Sequence, residues 1–414
     1  MTTLRTICWC LAACAATVGA GEAPTAKDYL GKWDLLIVDT GDTFKSCSLV
    51  LDAREGGLLG EMVWRWGSVW EIKDPKIATV DPNGDLTLRR DDWAEPLVLK
   101  RYGRMLEGKV KEKNGNVFHL IGTQAGPEMD VTGTWDVAYT HDNHTDEGVM
   151  KFGEQAPGCV AIAVAGADGL AMDEVRTADV KVAGNRVTFT ASWPHNDGST
   201  LTRLVALDVG GDTFAGSVKG SDGSQAGTLK GVRRRAWGEP VKLLAENGLA
   251  GWHGRDDRRG FQWSCEKGVL TNVPGTMDIV SDRVFKDFKL HLEYMVAEKS
   301  NSGVYLRGRY EVQIVDDYDQ GVESHGNGAV YSRIPQKKNV SRKPNTWQTY
   351  DLTLIGRYVT VVLNGEKIID NERLNGITGG ALDPFEALPG PLMLQGDHGK
   401  VWYRNVVVTP ALND

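Results

Sequence analysis

Residues 301–315 read NSGVYLRGRYEVQIV, an alternation of apolar and polar side chains that is interrupted at Gly308. Successive side chains of a β-strand point to opposite faces of a sheet, so the pattern predicts two strands with one face in a core. The predicted core residues are Val304, Leu306, Val312 and Ile314, and the open face then carries Tyr305, Arg307, Arg309, Glu311 and Gln313. Gly308 permits a bend or a bulge between the two strands.

The same alternation extends this open face to other predicted strands. In residues 290–296 it places His291 and Glu293 outward, and in residues 392–395 it places Gln395 outward, just before Asp397 and His398. Carboxylates, amides and a guanidinium on one concave sheet are typical hydrogen-bonding groups for a carbohydrate, with Tyr305, Trp347 or Trp402 as an aromatic platform. The alternative is a merely structural face, because Arg–Glu pairs across strands commonly stabilise sheets.

Further short strands follow one another from Trp237 to Pro410, and Gly-rich turns connect them. Asn364-Gly365 lies between two apolar strands, which is a strong signal for a two-residue hairpin. No long segment has the 3.6-residue apolar period of a helix. The pattern predicts a double-sheet jelly roll at residues 238–411 that binds a sugar.

A tandem repeat precedes this sandwich. Gly31-Lys32-Trp33-Asp34 recurs as Gly133-Thr134-Trp135-Asp136, and each copy continues with alternating strands and turns. The repeat predicts two small lipocalin-like β domains, at residues 28–126 and 130–235. An all-β chain of 414 residues with three domains is expected.

The first 20 residues resemble a secretion signal, with Arg5, a short apolar run and a small-residue cleavage site at 18–20. We therefore expect an exported protein that is periplasmic, cell-surface or extracellular. The sequence before Cys14 also resembles a lipobox, so a lipid anchor on Cys14 is the alternative. No other segment is long and apolar enough to span a membrane.

The net charge of −8 and the absence of a basic stripe argue against nucleic acid as a partner.

Cys47, Cys159 and Cys265 lie outside the predicted signal, and this odd, widely spaced set predicts buried thiols, with a Cys47–Cys159 disulfide as the alternative. Two clusters could be considered for a metal, but neither has the spacing of a defined site: Asp316, Asp317 and Asp319, and His141, Asp142, His144 and Asp146. In the first repeat, Trp64, Trp66 and Trp70 could be a stacking platform for a sugar or core residues.

Five ordered blocks of the C-terminal part resemble the 3-keto-disaccharide hydrolase family, also described as 3-keto-glucoside 1,2-lyases and 3-keto-2-hydroxyglucal hydratases. The blocks are residues 301–314, 325–331, 347–351, 363–365 and 389–406. The resemblance does not cover residues 28–235. It implies a concanavalin-like jelly roll, export and an enzyme of sugar catabolism that acts on 3-keto-glycosides.

In such chemistry a ketone at C3 acidifies the C2 proton, a base removes that proton, and the C1 substituent leaves before water adds. For this chemistry we hypothesise Glu311 as base, Arg307 as enolate stabiliser and His398 or His325 as acid. Residues expected to bind the sugar are Tyr305, Gln313, Glu293, Gln395, Asp397 and Trp402. No cofactor follows from the sequence, although a divalent cation could replace Arg307.

Two other functions are compatible with this sequence. One is a non-catalytic carbohydrate-binding protein, because the same fold often serves only to bind. The other is a conventional glycosidase with two carboxylates, Glu311 with Glu293 or Asp397.

Overall fold

The computed structural model describes residues 23–38, 44–54, 56–64, 69–125, 133–156, 159–165, 175–183, 185–194, 198–256 and 260–412. These residues contain one short 3₁₀ helix, Ala26–Tyr29, no α-helix, and 31 strands. The all-β class predicted from the sequence is confirmed. Within the same ranges, no helix has the length and apolarity that a membrane crossing requires.

The first nine strands form one curled sheet in the order β4-β3-β2-β1-β9-β8-β7-β6-β5. They are β1 Gly31–Val38, β2 Phe44–Arg54, β3 Gly57–Val63, β4 Val69–Ile72, β5 Ala78–Val80, β6 Leu86–Leu88, β7 Leu97–Tyr102, β8 Met105–Lys111 and β9 Val117–Gln124. The core inside this sheet includes Trp33 and Cys47, both fully buried. Trp64 and Trp70 pack against Trp93 in the same core, so they are not a stacking platform; Trp66 lies outside the described residues.

The next eight strands form a second sheet in the order β12-β11-β10-β17-β16-β15-β14-β13. They are β10 Gly133–His141, β11 His144–Ala156, β12 Cys159–Ala165, β13 Arg176–Ala183, β14 Arg186–Pro194, β15 Thr200–Gly210, β16 Thr213–Gly220 and β17 Gln225–Arg233. In both sheets the strand that opens with the repeated motif pairs with the next strand and with the last one. Trp33 and Trp135 are both fully buried, which gives a physical reason for the shared tryptophan. The lipocalin-like character of the two units stays a prediction.

The remaining strands form a sandwich of two sheets. They are β18 Ala236–Trp237, β19 Val241–Lys242, β20 Trp252–Gly254, β21 Trp263–Glu266, β22 Val269–Asn272, β23 Ile279–Phe285, β24 Phe288–Val296, β25 Asn301–Leu306, β26 Tyr310–Val315, β27 Gln348–Ile355, β28 Tyr358–Leu363, β29 Glu366–Arg373, β30 Gly390–Leu394 and β31 Val401–Leu412. The larger sheet has the order β21-β22-β31-β24-β27-β28-β29, with β18 and β19 also paired to β31. The smaller sheet has the order β20-β23-β30-β25-β26.

The two sheets of the sandwich share one core, to which both contribute alternate residues of their strands. Leu292 and Tyr294 of the larger sheet and Val304, Val312 and Ile314 of the smaller sheet are fully buried in it. The predicted alternation of β24, β25 and β26 is therefore present, and it leaves Tyr305, Glu311 and Gln313 on the outer face of the smaller sheet.

The first β domain, the unit built from β1 to β9, packs against this outer face. Val63 forms an apolar cluster with Ile377 and Ala381, and the guanidinium of Arg333 donates to Glu61 Oε1 at 2.7 Å. The second unit, β10 to β17, contacts a different region, where the Tyr358 hydroxyl donates to Val209 O at 3.1 Å. The segments around residues 331 and 378 contact the strands of the smaller sheet directly, and the first β domain packs on these segments.

Two of the predictions about cysteines and metals can be checked in the described residues. Cys47 and Cys265 are buried thiols, so Cys47 does not form the alternative disulfide; the side chain of Cys159 lies outside the described part. Among the described side chains, no group of three or more His, Cys, Asp or Glu has a metal-binding arrangement. Asp317 is instead buried and accepts hydrogen bonds from Asn327 N and the Ser341 hydroxyl.

Candidate active site

A cavity of about 580 Å³ lies between the outer face of the smaller sheet and the first β domain. This volume is within the usual range for small-molecule sites. Its walls consist mainly of polar side chains from β2, β25, β26 and the connecting segments. They are Lys45, Ser46, Arg255, Asp256, Met277, Asp278, Asn301, Tyr305, Glu311, Gln313, Tyr331, Gly379, Gly380, Ala381, Gln395, Asp397 and His398.

Glu311 and Tyr305 form the centre of one wall, because they face each other in the register of β25 and β26. The Tyr305 hydroxyl lies 2.8 Å from Glu311 Oε2 and 2.9 Å from Gly379 O. The backbone leaves little room around this pair. A Cβ added at Gly303 would come within 2.3 Å of Glu311 Oε1, and one at Gly380 within 2.6 Å of the Tyr305 hydroxyl.

The carboxyl group of Glu311 is almost completely buried, with 3% of the residue exposed. Burial raises the pKa of Glu311 to about 8, although the hydrogen bond from Tyr305 lowers the pKa in part. A carboxylate with such a pKa is a stronger base than an exposed one and still ionises near neutral pH. Perturbed carboxyl groups of this kind are typical of general acids and bases in enzymes.

Three amide side chains line the cavity next to this pair. The carbonyl oxygens of Asn301, Gln313 and Gln395 are buried and have no hydrogen-bond partner among the described residues. A buried carbonyl oxygen without a partner is costly, so these oxygens favour a ligand that donates hydrogen bonds. Sugar hydroxyl groups are such donors.

Asp397 and His398 lie side by side at the same cavity. His398 Nδ1 is 2.5 Å from Asp397 Oδ1, and this hydrogen bond raises the pKa of His398, while partial burial lowers it. Glu311 and His398 also interact electrostatically. The imidazole is about half exposed, so it can reach a ligand and exchange protons with solvent.

Cationic side chains line the cavity from two domains. Arg255 of the sandwich pairs with Asp278 at 3.0 Å and donates to Ala381 O at 3.3 Å. Lys45 comes from β2 in the first β domain. Either cation could interact with an oxygen that becomes negative during a reaction.

Arg307 does not lie on this wall, which corrects the predicted orientation of its side chain. β25 ends at Leu306, and Arg307 has a φ of +53°, so the strand alternation does not extend to it. Its guanidinium donates to Gly356 O and lies over the ring of Tyr310, 5.4 Å from the ring centre. Arg309 does not line the cavity either, because its guanidinium pairs with Asp383. The predicted role of Arg307 as enolate stabiliser is therefore not compatible with its position.

Glu293 and Trp402 lie on the outer face of the larger sheet, on the opposite side of the sandwich. Glu293 accepts hydrogen bonds from Arg404 at 2.8 Å and Asn405 at 2.5 Å, and Lys400 lies over the Trp402 ring at 5.1 Å. Neither side chain lines the cavity. Their prediction as sugar-binding residues is wrong because alternation alone does not reveal which sheet carries the site.

His325 is exposed and does not line the cavity, but its ring lies 4.6 Å from the ring of Tyr331, which does. Its predicted role as an acid is therefore less well supported than that of His398. The structure brings together six of the ten predicted residues: Tyr305, Glu311, Gln313, Gln395, Asp397 and His398. Their roles stay predictions.

Several residues of the cavity wall were not among those predicted from the sequence. Asn301 and Tyr331 belong to two of the five blocks described above, so the blocks contained a signal that alternation did not use. Arg255 and Asp278 lie outside these blocks, and Lys45 and Ser46 lie in another domain. No local pattern of the sequence connects these four residues to the site.

The family model described as the 3-keto-alpha-glucoside-1,2-lyase-like domain matches residues 239–409. No curated protein matches the chain. Crystal structures of a "putative glycosyl hydrolase" from Parabacteroides distasonis are similar to it; one has 24% identity over 42% of this chain and 89% of its own, with a TM-score of 0.37. A second has 20% identity over 41% and 92%, with a TM-score of 0.33.

The family match covers the part of the chain that the sequence resemblance covered and leaves residues 28–235 outside. The resemblance to the 3-keto-disaccharide hydrolases is thus confirmed for the sandwich. Residues 239–409 are thus similar to the 3-keto-alpha-glucoside-1,2-lyase-like domain over their whole length.

Proposed function

We propose that this protein cleaves 3-keto-glycosides by removing the proton at C2 and eliminating the substituent at C1, with net hydrolysis of the glycosidic bond. The observation that carries the proposal is the buried Glu311 carboxyl group, whose pKa burial raises to about 8, in a cavity lined by groups suited to sugar hydroxyls. The family of residues 239–409 supports a carbohydrate-active enzyme.

In the proposed first step, ionised Glu311 takes the C2 proton, and the electron pair of the C–H bond delocalises into the C3 ketone as an enolate. The negative charge on the C3 oxygen needs a hydrogen-bond donor or a cation. Because Arg307 is held away from the cavity, we assign this role to the cations that line it, Arg255 and Lys45.

In the second step, the enolate collapses to a C1=C2 double bond as the bond from C1 to the leaving oxygen breaks. Protonated His398 gives its proton to that oxygen, and Asp397 favours the protonated form of the imidazole. Water then adds at C1 of the enone while C2 regains a proton. The products are a free 3-keto-sugar and the released alcohol or second sugar.

A conventional glycosidase is the second candidate, since Asp397 and Glu311 line one cavity and could act as a carboxylate pair. The other pair expected for that mechanism, Glu311 with Glu293, is excluded because the two residues lie on opposite sides of the sandwich. The two mechanisms differ in their substrates. Elimination requires the C3 ketone, whereas a conventional glycosidase cleaves unoxidised sugars.

The test is incubation of the protein with a 3-keto-disaccharide and with the same disaccharide before oxidation. The proposal expects sugar release from the oxidised form only, a transient enone absorbance and exchange of the C2 hydrogen in D₂O. Cleavage of the unoxidised sugar without this exchange would favour the glycosidase. Saturable binding without product would show a binding protein. As part of the same proposal, the reaction takes place after export, outside the cytoplasm.

A further inference from the structure

We propose that the first β domain completes the sugar site and that Lys45 is a substrate-binding residue that donates hydrogen bonds to a sugar oxygen. This inference rests on the proposed function, because its ligand is the 3-keto-glycoside. The family match begins at residue 239, so it assigns no role in the site to residues of β2.

The position of the first β domain over the cavity is fixed by buried contacts. Lys32 forms ion pairs with Asp34 of its own strand and with Glu386 of the sandwich, and all three side chains are at least 93% buried. Glu386 also accepts a hydrogen bond from Tyr310 at 2.7 Å. Burial by itself raises the pKa of Glu386, but Lys32 and Arg357 outweigh it and lower the pKa to about 2, so the pair is ionised.

A second contact joins the domain to the cavity wall itself. Ser46 is adjacent to Lys45, and its hydroxyl donates to Ala381 O at 3.1 Å. The same carbonyl oxygen accepts from Arg255, which also lines the cavity. Ser46, Ala381 and Arg255 therefore form one hydrogen-bonded piece of wall with residues from both domains. Lys45 is held at the cavity by this attachment.

The charges around the cavity are consistent with this role of Lys45. Asp256, Asp278, Glu311 and Asp397 bring four carboxyl groups to the cavity, and Lys45 and Arg255 are the lysine and arginine that line it. An ammonium group in such surroundings can donate up to three hydrogen bonds to hydroxyl or carbonyl oxygens of a sugar. A hydrogen bond to a charged group commonly changes affinity by about 10- to 100-fold.

The experiment uses the full chain with Lys45→Met, which keeps a long apolar stem and removes the ammonium. The matched control is Lys109→Met, an exposed lysine on β8 of the same domain, outside the cavity. We expect kcat/KM for a 3-keto-disaccharide to fall about 10- to 100-fold for Lys45→Met and less than 2-fold for Lys109→Met. Thermal denaturation checks that both variants fold.

Binding is measured separately from turnover by calorimetry in a Glu311→Gln background, with the intact 3-keto-disaccharide as ligand. Lys45→Met is expected to raise Kd about 10- to 100-fold there. Acetylation of lysines, followed by peptide mass spectrometry, gives an independent readout. The sugar should protect Lys45 from acetylation and leave Lys109 unchanged.

The outcomes separate the inference from the proposed function. If the protein binds the sugar without turning it over, and Lys45→Met weakens this binding, the proposed reaction is wrong and the inference about Lys45 holds. If turnover occurs, but Lys45→Met and Lys109→Met have the same kcat/KM and Kd and the sugar does not protect Lys45 from acetylation, the inference is wrong and the proposed reaction holds. Absence of both turnover and binding overturns both.

Discussion

The two outer faces of the sandwich have the same alternating sequence pattern, but their side chains lie in different environments in the folded protein. On the larger sheet, His291 and Glu293 alternate with core residues, remain partly exposed and pair with Asp351 and Arg404. On the smaller sheet, Tyr305, Glu311 and Gln313 alternate with core residues in the same way, yet all three are almost fully buried. Segments 326–331 and 378–382 of the sandwich itself lie over the second face, with the first β domain packed on its outer side, whereas the first face stays partly exposed.

This difference shows that polar alternation identifies an outer face but not a site. Glu311 and Glu293 illustrate the consequence for one residue type. Burial raises the pKa of Glu311 to about 8. Burial also raises the pKa of Glu293, but hydrogen bonds from Asn405 and Arg404 outweigh it, so its pKa is lowered. Covering one face therefore converts an ordinary surface carboxylate position into a candidate base.

The largest expected effect comes from replacing each of these two glutamates by glutamine. Glu311→Gln should lower kcat for a 3-keto-glycoside about 1,000-fold, because the amide cannot accept the C2 proton. Glu293→Gln should change kcat less than 2-fold. Steady-state kinetics with both variants tests this contrast, and near-normal turnover by Glu311→Gln would remove Glu311 from the mechanism.

The ion pairs on the two sides should also differ in their contribution to stability. Glu386→Gln breaks the buried pair with Lys32 that fixes the first β domain, and we expect a loss of about 3 kcal/mol in the free energy of unfolding at pH 7. Arg404→Met breaks the more exposed pair with Glu293 and should cost less than about 1 kcal/mol. Urea denaturation measures both, and equal losses would contradict the comparison.

The pair with Glu386 should lose its stabilising effect in acid. The pKa of Glu386 is lowered to about 2 in the folded protein. The contribution of the pair to the free energy of unfolding is therefore complete above the unfolded pKa near 4.5 and is lost as the pH falls toward 2. The difference in unfolding free energy between the wild type and Glu386→Gln should therefore shrink over this range. A difference independent of pH would be inconsistent with an ionised pair.

The pH dependence of turnover is the next test, because only the ionised form of Glu311 is a base. With a pKa of about 8, ionisation of Glu311 should raise kcat/KM by up to about 10-fold per pH unit below pH 8, and loss of the His398 proton, which the second step requires, should lower kcat/KM at high pH. Glu293→Gln should not change this rise of kcat/KM with pH. A limb near pH 4.5 would contradict a buried base.

The same raised pKa predicts that Glu311 lowers stability at high pH. The folded state binds the Glu311 proton more tightly than the unfolded state, so its effect becomes unfavourable as the pH rises from 4.5 to 8. Glu311→Gln should therefore be more stable than the wild type above pH 8, by on the order of a few kcal/mol. No gain in denaturation experiments at pH 9 would argue against the shift.

The smallest expected effect is that of Trp402→Phe on the open face. We expect less than a 2-fold change in kcat/KM, because Trp402 lies across the sandwich from the cavity. Tyr305→Phe, which removes the hydroxyl group next to Glu311, should lower kcat/KM about 10-fold by comparison. A reversed order of these two effects would place the sugar on the larger sheet.

Side-chain orientations that depend on a single strand could be predicted from the sequence. The alternation in β25 and β26 correctly separated Val304 and Val312 from Tyr305 and Glu311, because adjacent side chains of a strand must face opposite ways. It failed at Arg307, where the strand had already ended and the positive φ turned the side chain toward Gly356.

The sequence by itself determined the all-β class, the repeated motif around Trp33 and Trp135, the family resemblance of residues 239–409 and the outward position of Glu311. These features depend on strand periodicity and on short motifs, which are local. Only the tertiary structure decided which outer face is covered and which lysine reaches the cavity. Docking of the first β domain brings Lys45 to the same cavity as Glu311, although they are far apart in the chain, and the burial that raises the pKa of Glu311 exists only in the folded protein.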